Sequence, residues 1–248
     1  MIGAGKAATE IDIGDKTPHL NFNLQGIAAL VTGAARAIGQ AVCVALAAAG
    51  ADVVGIDICA VAAPNLVYPP ATPEDLEKTG QLVKAQKRRW IGIKADIRDM
   101  PAMKAAADRA AKEFGKLDIT VANAAIQIYG PLAEMSDENW KNVIDVNLNG
   151  TANTLRAVIP HMLSRKWGRI VIIASSQGRH GFKNGSAYSA SKWGVIGLMK
   201  SAAWELGKDG ITVNCVEPGL NRYADDAQSG PLERGAKGRR QRNKGESD

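Results

Sequence analysis

Cysteine is scarce in this chain. Cys43, Cys59 and Cys215 are odd in number and far apart. This excludes a disulfide framework and a cysteine metal site. Cys43 and Cys215 lie in apolar runs, where a thiol acts as a small hydrophobe, and a reducing, cytoplasmic location is the expectation. Aromatic residues make up only 5% of the chain, too few, and too unlike an RNP pattern, for an RNA-reading sheet. No apolar run reaches the length needed to span a bilayer. The amino-terminal segment carries Lys6, Glu10, Asp12, Asp15 and Lys16 with no apolar stretch between them, which argues against a signal peptide. His161 and His180 accompany no G-x-S-x-G elbow, so a serine-hydrolase reading lacks its nucleophile. Negative charge is nearly missing from the carboxyl-terminal stretch. Between Pro231 and Gly245, Arg234, Lys237, Arg239, Arg240, Arg242 and Lys244 face a single acid, Glu233, and this stretch supplies most of the net charge of +6. The body is therefore near neutral, and any attraction to nucleic acid would belong to the tail. The tail reads as a solvated end, so nucleic-acid partners are not expected.

What is present is a rhythm. At 248 residues and 46% hydrophobic content, the chain suits one α/β domain with a full core. Strands are predicted at 27–32, 52–57, 90–95, 118–122, 170–174 and 212–216. Between them lie helices at 38–49, 72–87, 100–114, 136–163 and 188–206. Thr72-Pro73-Glu74-Asp75 is a helix start, with Thr72 as N-cap, proline in the first position and acids in the first turn. Alternation of this kind gives a doubly wound parallel sheet of the Rossmann type with helices on both faces. Ala60 to Ala71, with Pro64, Pro69 and Pro70, reads as a long loop. Residues 1–22 are expected to be flexible, 23–220 to form the domain, and 221–248 to be a disordered basic tail.

Ligands of such sheets bind beyond the carboxyl ends of the strands, and the chemistry-bearing residues fall there. Gly33 and Gly39 frame a tight turn into a helix, where a backbone can approach a pyrophosphate and the helix terminus stabilises its charge. Plain close packing of strand and helix is the bland alternative. Asp57 ends the second strand 24 residues after Gly33, the placement of an acid that accepts from ribose hydroxyls. A solvated strand end is its rival reading. An acid there repels a ribose phosphate and favours NAD over NADP, while Arg36 is a counterweight that could reach such a phosphate. Tyr188 and Lys192 in Tyr188-Ser189-Ala190-Ser191-Lys192 share one helical face, one turn apart. A nearby ammonium favours a phenolate, which fits a phenol for passing protons. Ser175 follows the apolar run Arg169 to Ala174, where its hydroxyl can bond a substrate oxygen; adjacent Ser176 is its rival. Asn147 either serves the site or is a polar residue bonding backbone inside a helix.

Thr32-Gly33-Ala34-Ala35-Arg36-Ala37-Ile38-Gly39, Asn123-Ala124-Ala125, Asn147, Ser175, Tyr188-x-x-x-Lys192 and Asn214-Cys215-Val216-Glu217-Pro218-Gly219, in this order, resemble the short-chain dehydrogenase/reductase family over residues 24–220. The resemblance implies an NAD-dependent alcohol dehydrogenase or ketone reductase. Tyr188 would be the general acid-base, Lys192 its partner and a contact of the nicotinamide ribose, Ser175 the group orienting the substrate oxygen, and Asn147 the holder of a water. The cofactor would meet Gly33, Arg36, Ile38, Gly39, Asp57, Asp96, Ile97, Asn123, Lys192, Pro218 and Gly219. Asp96 could instead be a loop or capping aspartate, and Asn123 could tie the sheet together. No metal is implied. The segment beginning Ile56-Asp57-Ile58-Cys59 and ending Tyr68-Pro69-Pro70-Ala71-Thr72-Pro73-Glu74-Asp75-Leu76 is similar to an insertion of carveol-dehydrogenase-like members, some linked to the redox peptide mycofactocin. There it is taken to cover bound NAD, and it implies a small hydrophobic secondary alcohol or ketone.

The pattern also departs from the family. Ala37 and Ala125 stand where glycines are usual, and Leu220-Asn221-Arg222-Tyr223 replaces a threonine region. The last strand and the substrate lid are expected to be missing, which would weaken closure over the substrate. A weakened dinucleotide-binding member and an NADP-dependent carbonyl or oxoacyl reductase are therefore the competing functions. A homodimer through the two long helices is expected.

Overall fold

Six strands, all parallel, lie in the order β3-β2-β1-β4-β5-β6. The computed structural model describes residues 22–219. The strands are β1 (Ala28–Thr32), β2 (Asp52–Asp57), β3 (Trp90–Lys94), β4 (Ile119–Ala122), β5 (Gly168–Ile173) and β6 (Ile211–Val216). The helices are α1 (Ala37–Ala48), α2 (Pro73–Ala85), α3 (Met100–Phe114), α4 (Asp137–Ile144), α5 (Thr151–Leu163) and α6 (Ser186–Leu206). This is the predicted doubly wound Rossmann-type fold. The expectations for the two chain ends, including the missing last strand and lid, lie outside the described residues.

Burial follows position in the sheet. Every residue of β1 and β2 is buried, as expected for strands covered on both faces. Successive side chains take opposite faces. Leu30 and Val54 join one core with Met103, Leu155, Ile170 and Val195, from α3, α5, β5 and α6. Val31 and Val53 join a second core with Cys43 and Val83, from α1 and α2.

Local chemistry sets the element ends. Thr72 and Asp75 form a reciprocal capping box ahead of Pro73, which satisfies two orphan donors at once. Asp99 caps α3, and Gly115 ends it at φ 78°; glycine reaches that left-handed conformation without a Cβ clash. One expected element differs. The long helix over 136–163 is not uniformly α, because Asp145–Gly150 winds as a π-helix between α4 and α5. The wider turn rotates Asn147 inward and buries it.

The ionic residues at the amino ends of the strands pair among themselves. Asp118 is buried, accepts from the Ala28 backbone N–H at 2.9 Å and is paired with Arg165 and Lys116. Asp52 accepts from Arg88 and Arg89 at 2.7 Å. Burial works against its charge, but the Arg89 hydrogen bonds and the two guanidinium charges outweigh that and hold it below the usual carboxylate range. That end of the sheet is a structural clamp, and the chemistry lies at the other.

Candidate active site

Register places the motif residues side by side. Thr32 pairs with Ile56, Asp57 with Lys94, Ala122 with Ile172, and Ile173 with Val216. The segments after these residues therefore line one edge, at the carboxyl ends of all six strands.

The turn after β1 is built from main chain. Gly33 has φ 67°, and a Cβ there would sit 2.9 Å from Ala124 Cα and from Asn123 Nδ2. A Cβ on Gly39 would lie 1.9 Å from the Gly33 carbonyl oxygen. No side chain fits at either position, and the cradle left open is of the kind into which a phosphate backs against helix N–H groups. Ile38 follows in the first turn of α1, half-buried. Ala37, where the family has glycine, adopts φ 48°. That is left-handed backbone, which costs a residue with a Cβ about 1 kcal/mol.

Asn123 braces this turn rather than the crevice. Its amide donates to the carbonyls of Thr32 at 2.9 Å and Gly33 at 3.2 Å, and its N–H donates to Thr32 Oγ1 at 3.0 Å. This is the sheet-tying role. Asp57 is buried, accepts from the N–H groups of Ala35 at 3.1 Å and Cys59 at 3.0 Å, and so holds its carboxylate beside the glycine turn. The arrangement departs from a solvated strand end. Arg36 Nη1 donates to the Pro69 carbonyl at 2.5 Å, and the guanidinium lies 5.0 Å from the Tyr68 ring centroid. Arg36 is thus committed to the long loop. Asp96 is gripped by Arg98 at 2.6 Å and accepts from the Arg98 backbone N–H at 2.9 Å, a loop-ordering function. Ile97 is buried, and its carbonyl accepts from Asn153 at 3.2 Å.

The other side of the crevice is built from side chains. Lys192 is 3% exposed and donates to the Ile173 carbonyl at 2.8 Å. Burial pushes its ammonium down to about 8, with a small opposing influence from Cys215. Lys192 Nζ lies 5.4 Å from the Tyr188 ring centroid, so the pair shares one face of α6 as the spacing required. Ser175 leaves β5, buried, and its hydroxyl accepts from Gln177 N–H at 3.2 Å, starting the turn Ser176–Gly178. Gln177 Oε1 accepts from Ser189 at 3.1 Å, which ties the Ser175 turn to α6. The Pro218 carbonyl accepts from the Ser176 N–H at 3.0 Å, which brings Pro218 and Gly219 to the same wall. Of the two serines, Ser175 caps the turn that follows β5 and Ser176 is the first residue inside it.

Asn147 reaches the site through backbone and α6. Its oxygen accepts from Ile126 N–H at 2.8 Å, and its amide donates to Ile126 O at 2.9 Å and Ser191 Oγ at 3.0 Å. Both of its readings have physical content: it bonds backbone, and it does so beside Lys192. Sequence reasoning missed Ser191, Gln177 and Thr79. Buried Thr79 donates to Ala34 O at 3.0 Å and so braces the glycine turn. A polar residue on the apolar stripe Leu76-Thr79-Gly80-Val83 of α2 was the available signal. Among the described residues no group of three or more His, Cys, Asp or Glu could hold a metal ion, and no helix is long and apolar enough to cross a membrane.

A left-handed glycine turn, an acid after the second strand and a Tyr-x-x-x-Lys pair facing a serine-headed turn together define a dinucleotide-dependent oxidoreductase architecture. The model of the short chain dehydrogenase family matches residues 27–228. The chain belongs to the short-chain dehydrogenase/reductase family, in its carveol-dehydrogenase-like branch. It is 44% identical over 197 residues to an uncharacterized NAD-dependent oxidoreductase of Mycobacterium tuberculosis, covering 79% of this chain and 72% of that one. It is 39% identical over 201 residues to (-)-trans-carveol dehydrogenase of Rhodococcus erythropolis, covering 79% and 71%. The crystal structure of carveol dehydrogenase from Mycobacterium avium in complex with NAD matches with a TM-score of 0.77 at 43% identity, over 79% of this chain and 71% of that one.

Proposed function

We propose that this chain, an NAD-dependent oxidoreductase, transfers hydride between NAD(H) and a small hydrophobic secondary alcohol or ketone, with Tyr188 as general acid-base. The observation that carries the reading is the buried Lys192, fixed on the Ile173 carbonyl beside the Tyr188 ring and next to the Ser175 turn.

The residues present fit the cofactor. Gly33 and Gly39 leave a backbone cradle that a Cβ would fill, and Asp57 stands next to it as an acceptor for ribose hydroxyls. Asp96, Ile97 and Asn123 shape the loops around the adenosine, and Pro218 and Gly219 close the nicotinamide end. The nicotinamide, when bound, supplies the hydride acceptor or donor. The protein's own work is positional and electrostatic. Ser175 holds the substrate oxygen. Tyr188 takes the hydroxyl proton as the alcohol carbon gives up its hydride, and it returns that proton in reduction. A titration point for Lys192 near 8 leaves it mostly charged at neutral pH, and a charge there favours the phenolate. Asn147 holds a water that links Lys192 to solvent.

The similarity to carveol dehydrogenases supports a small hydrophobic alcohol as the substrate class. Exposed Trp193 and Trp204 on α6 and half-exposed Trp140 on α4 support a homodimer through these helices, which sedimentation would refute by showing a monomer. The function itself is tested by steady-state assay of NAD reduction over a panel of secondary alcohols, alongside NADH binding by fluorescence. Tyr188→Phe should lower kcat/KM by about 10²–10⁴-fold and leave NADH binding intact. Tight NADH binding without turnover in the wild type would identify a dinucleotide-binding member that has lost its chemistry.

A further inference from the structure

Arg36 is the basic side chain of the turn after β1, and an arginine in that turn could meet a phosphate on the adenosine ribose. Its neighbour Ala35 donates its N–H to Asp57 Oδ2 at 3.1 Å, so the acid at the end of β2 is held one residue from the arginine's own backbone. A free arginine there would be a bidentate phosphate receptor. It is not free. Nη1 is spent on the Pro69 carbonyl at 2.5 Å, and the planar group is laid against Tyr68 with 5.0 Å from Cζ to the ring centroid. Tyr68 is itself anchored. Its phenol is half-buried, with the backbone of Gln127, in the loop after β4, beside its hydroxyl. Burial keeps the phenol in its neutral form, against the smaller opposing effects of that backbone and of Arg36. The long loop therefore spans from the glycine turn to the β4 loop with Tyr68 as its fastening, and the guanidinium is the post.

We propose that Tyr68 is a specificity-determining residue: by stacking on Arg36 and holding it to Pro69, it withholds the guanidinium from a 2′-phosphate, so that NAD preference rests on a clamp as well as on the Asp57 charge. The inference rests on the nucleotide site proposed above. It divides discrimination into two parts. Asp57 repels the phosphate, and the Tyr68–Arg36 clamp denies it a partner. Removing the repulsion alone leaves a phosphate facing an engaged arginine, and removing the clamp alone leaves it facing a carboxylate. Only the two changes together present a free guanidinium with no acid opposite.

The test is a cycle read by NADH and NADPH binding, from the fluorescence of the bound nucleotide, with thermal melting to follow folding. The chains compared are the wild type, Asp57→Asn, Tyr68→Leu and the double variant; Tyr68→Gln serves as a second change that removes the ring. The double variant should bind NADPH about tenfold more tightly than the two single effects predict, the size of a coupled charged contact. Adding Arg36→Ala should erase that gain, and Tyr68→Phe, which keeps the ring over Arg36 but loses the hydroxyl held at Gln127, should give a smaller gain than Tyr68→Leu in the Asp57→Asn background. Additive single effects, or a gain that survives Arg36→Ala, would overturn the clamp while leaving the NAD site standing. A folded wild type that binds neither nucleotide would overturn the NAD site and the clamp with it.

Discussion

On the β1–β3 side the crevice is lined by the main chain of the glycine turn with the Asp57 carboxylate beside it; on the β4–β6 side it is lined by buried side chains. Gly33, Gly39 and Ala37 act through φ and through the absence or presence of a Cβ, and Thr79 and Asn123 brace them by bonding carbonyls. Lys192, Asn147 and Ser175 act through polar groups taken out of water and paired. The difference follows from the work proposed for each side. A pyrophosphate needs close approach and many N–H groups, so the chain removes side chains. A proton relay needs groups at set distances in a low dielectric, so the chain buries them and satisfies each one. The first side should fail by steric clash and the second by loss of polar partners.

The sharpest break is Gly39→Ala. With only 1.9 Å between the new Cβ and the Gly33 carbonyl oxygen, the turn must open. The expected loss is about 3 kcal/mol or more, read by urea unfolding, together with loss of NADH binding. Unchanged stability would show that the turn is not closed as described.

Lys192 tests the other side through pH. Its folded titration point is about 8 against an ordinary 10.5, so between these values the unfolded chain holds more protons and stability rises with pH. Below about pH 8 both states are protonated and the full cost of the buried charge is present. Measured against Lys192→Met, wild-type stability should gain about 3 kcal/mol between pH 8 and 10.5. A flat difference would mean that the ammonium is solvated.

Asn147→Ala leaves the Ile126 N–H and carbonyl without their side-chain partner. A loss of about 2 kcal/mol is expected, checked by thermal unfolding. Asn147→Asp should restore only the bond that accepts from Ile126. The smallest effect is a gain. Ala37→Gly relieves the left-handed backbone at φ 48°, partly offset by a looser unfolded chain, for a net stabilisation of about 0.5 kcal/mol. It would sharpen the contrast by improving the main-chain side without touching the side-chain one.

Much of this was legible in the sequence. Thr72-Pro73 marked the start of α2 because capping is local chemistry. The apolar runs of β1 and β2 marked fully buried parallel strands, that of β5 marked a parallel strand buried at alternate residues, and the Tyr188–Lys192 spacing fixed their common face. The helix over 136–163 misled, because the apolar spacing continues through the segment and one wider turn shifts it too little to show as a break. Asp57 and Asp96 looked alike as acids after strands. One is bound by the N–H groups of Ala35 and Cys59 beside the glycine turn, the other by Arg98; spacing from Gly33 singled out Asp57, but nothing in the chain announced the Arg98 grip on Asp96.

Left to itself, the sequence determined the alternation of strands and helices, the ends of the capped helices and the residue types delivered to the carboxyl edge of the sheet. These depend on propensity, periodicity and capping within a few residues of chain. Only the tertiary structure decided that Arg36 meets Tyr68, that Asn147 grips Ile126 and Ser191, and that Lys192 rests on Ile173. Each of those contacts joins residues far apart in the chain, and which partners meet is settled by sheet order and packing.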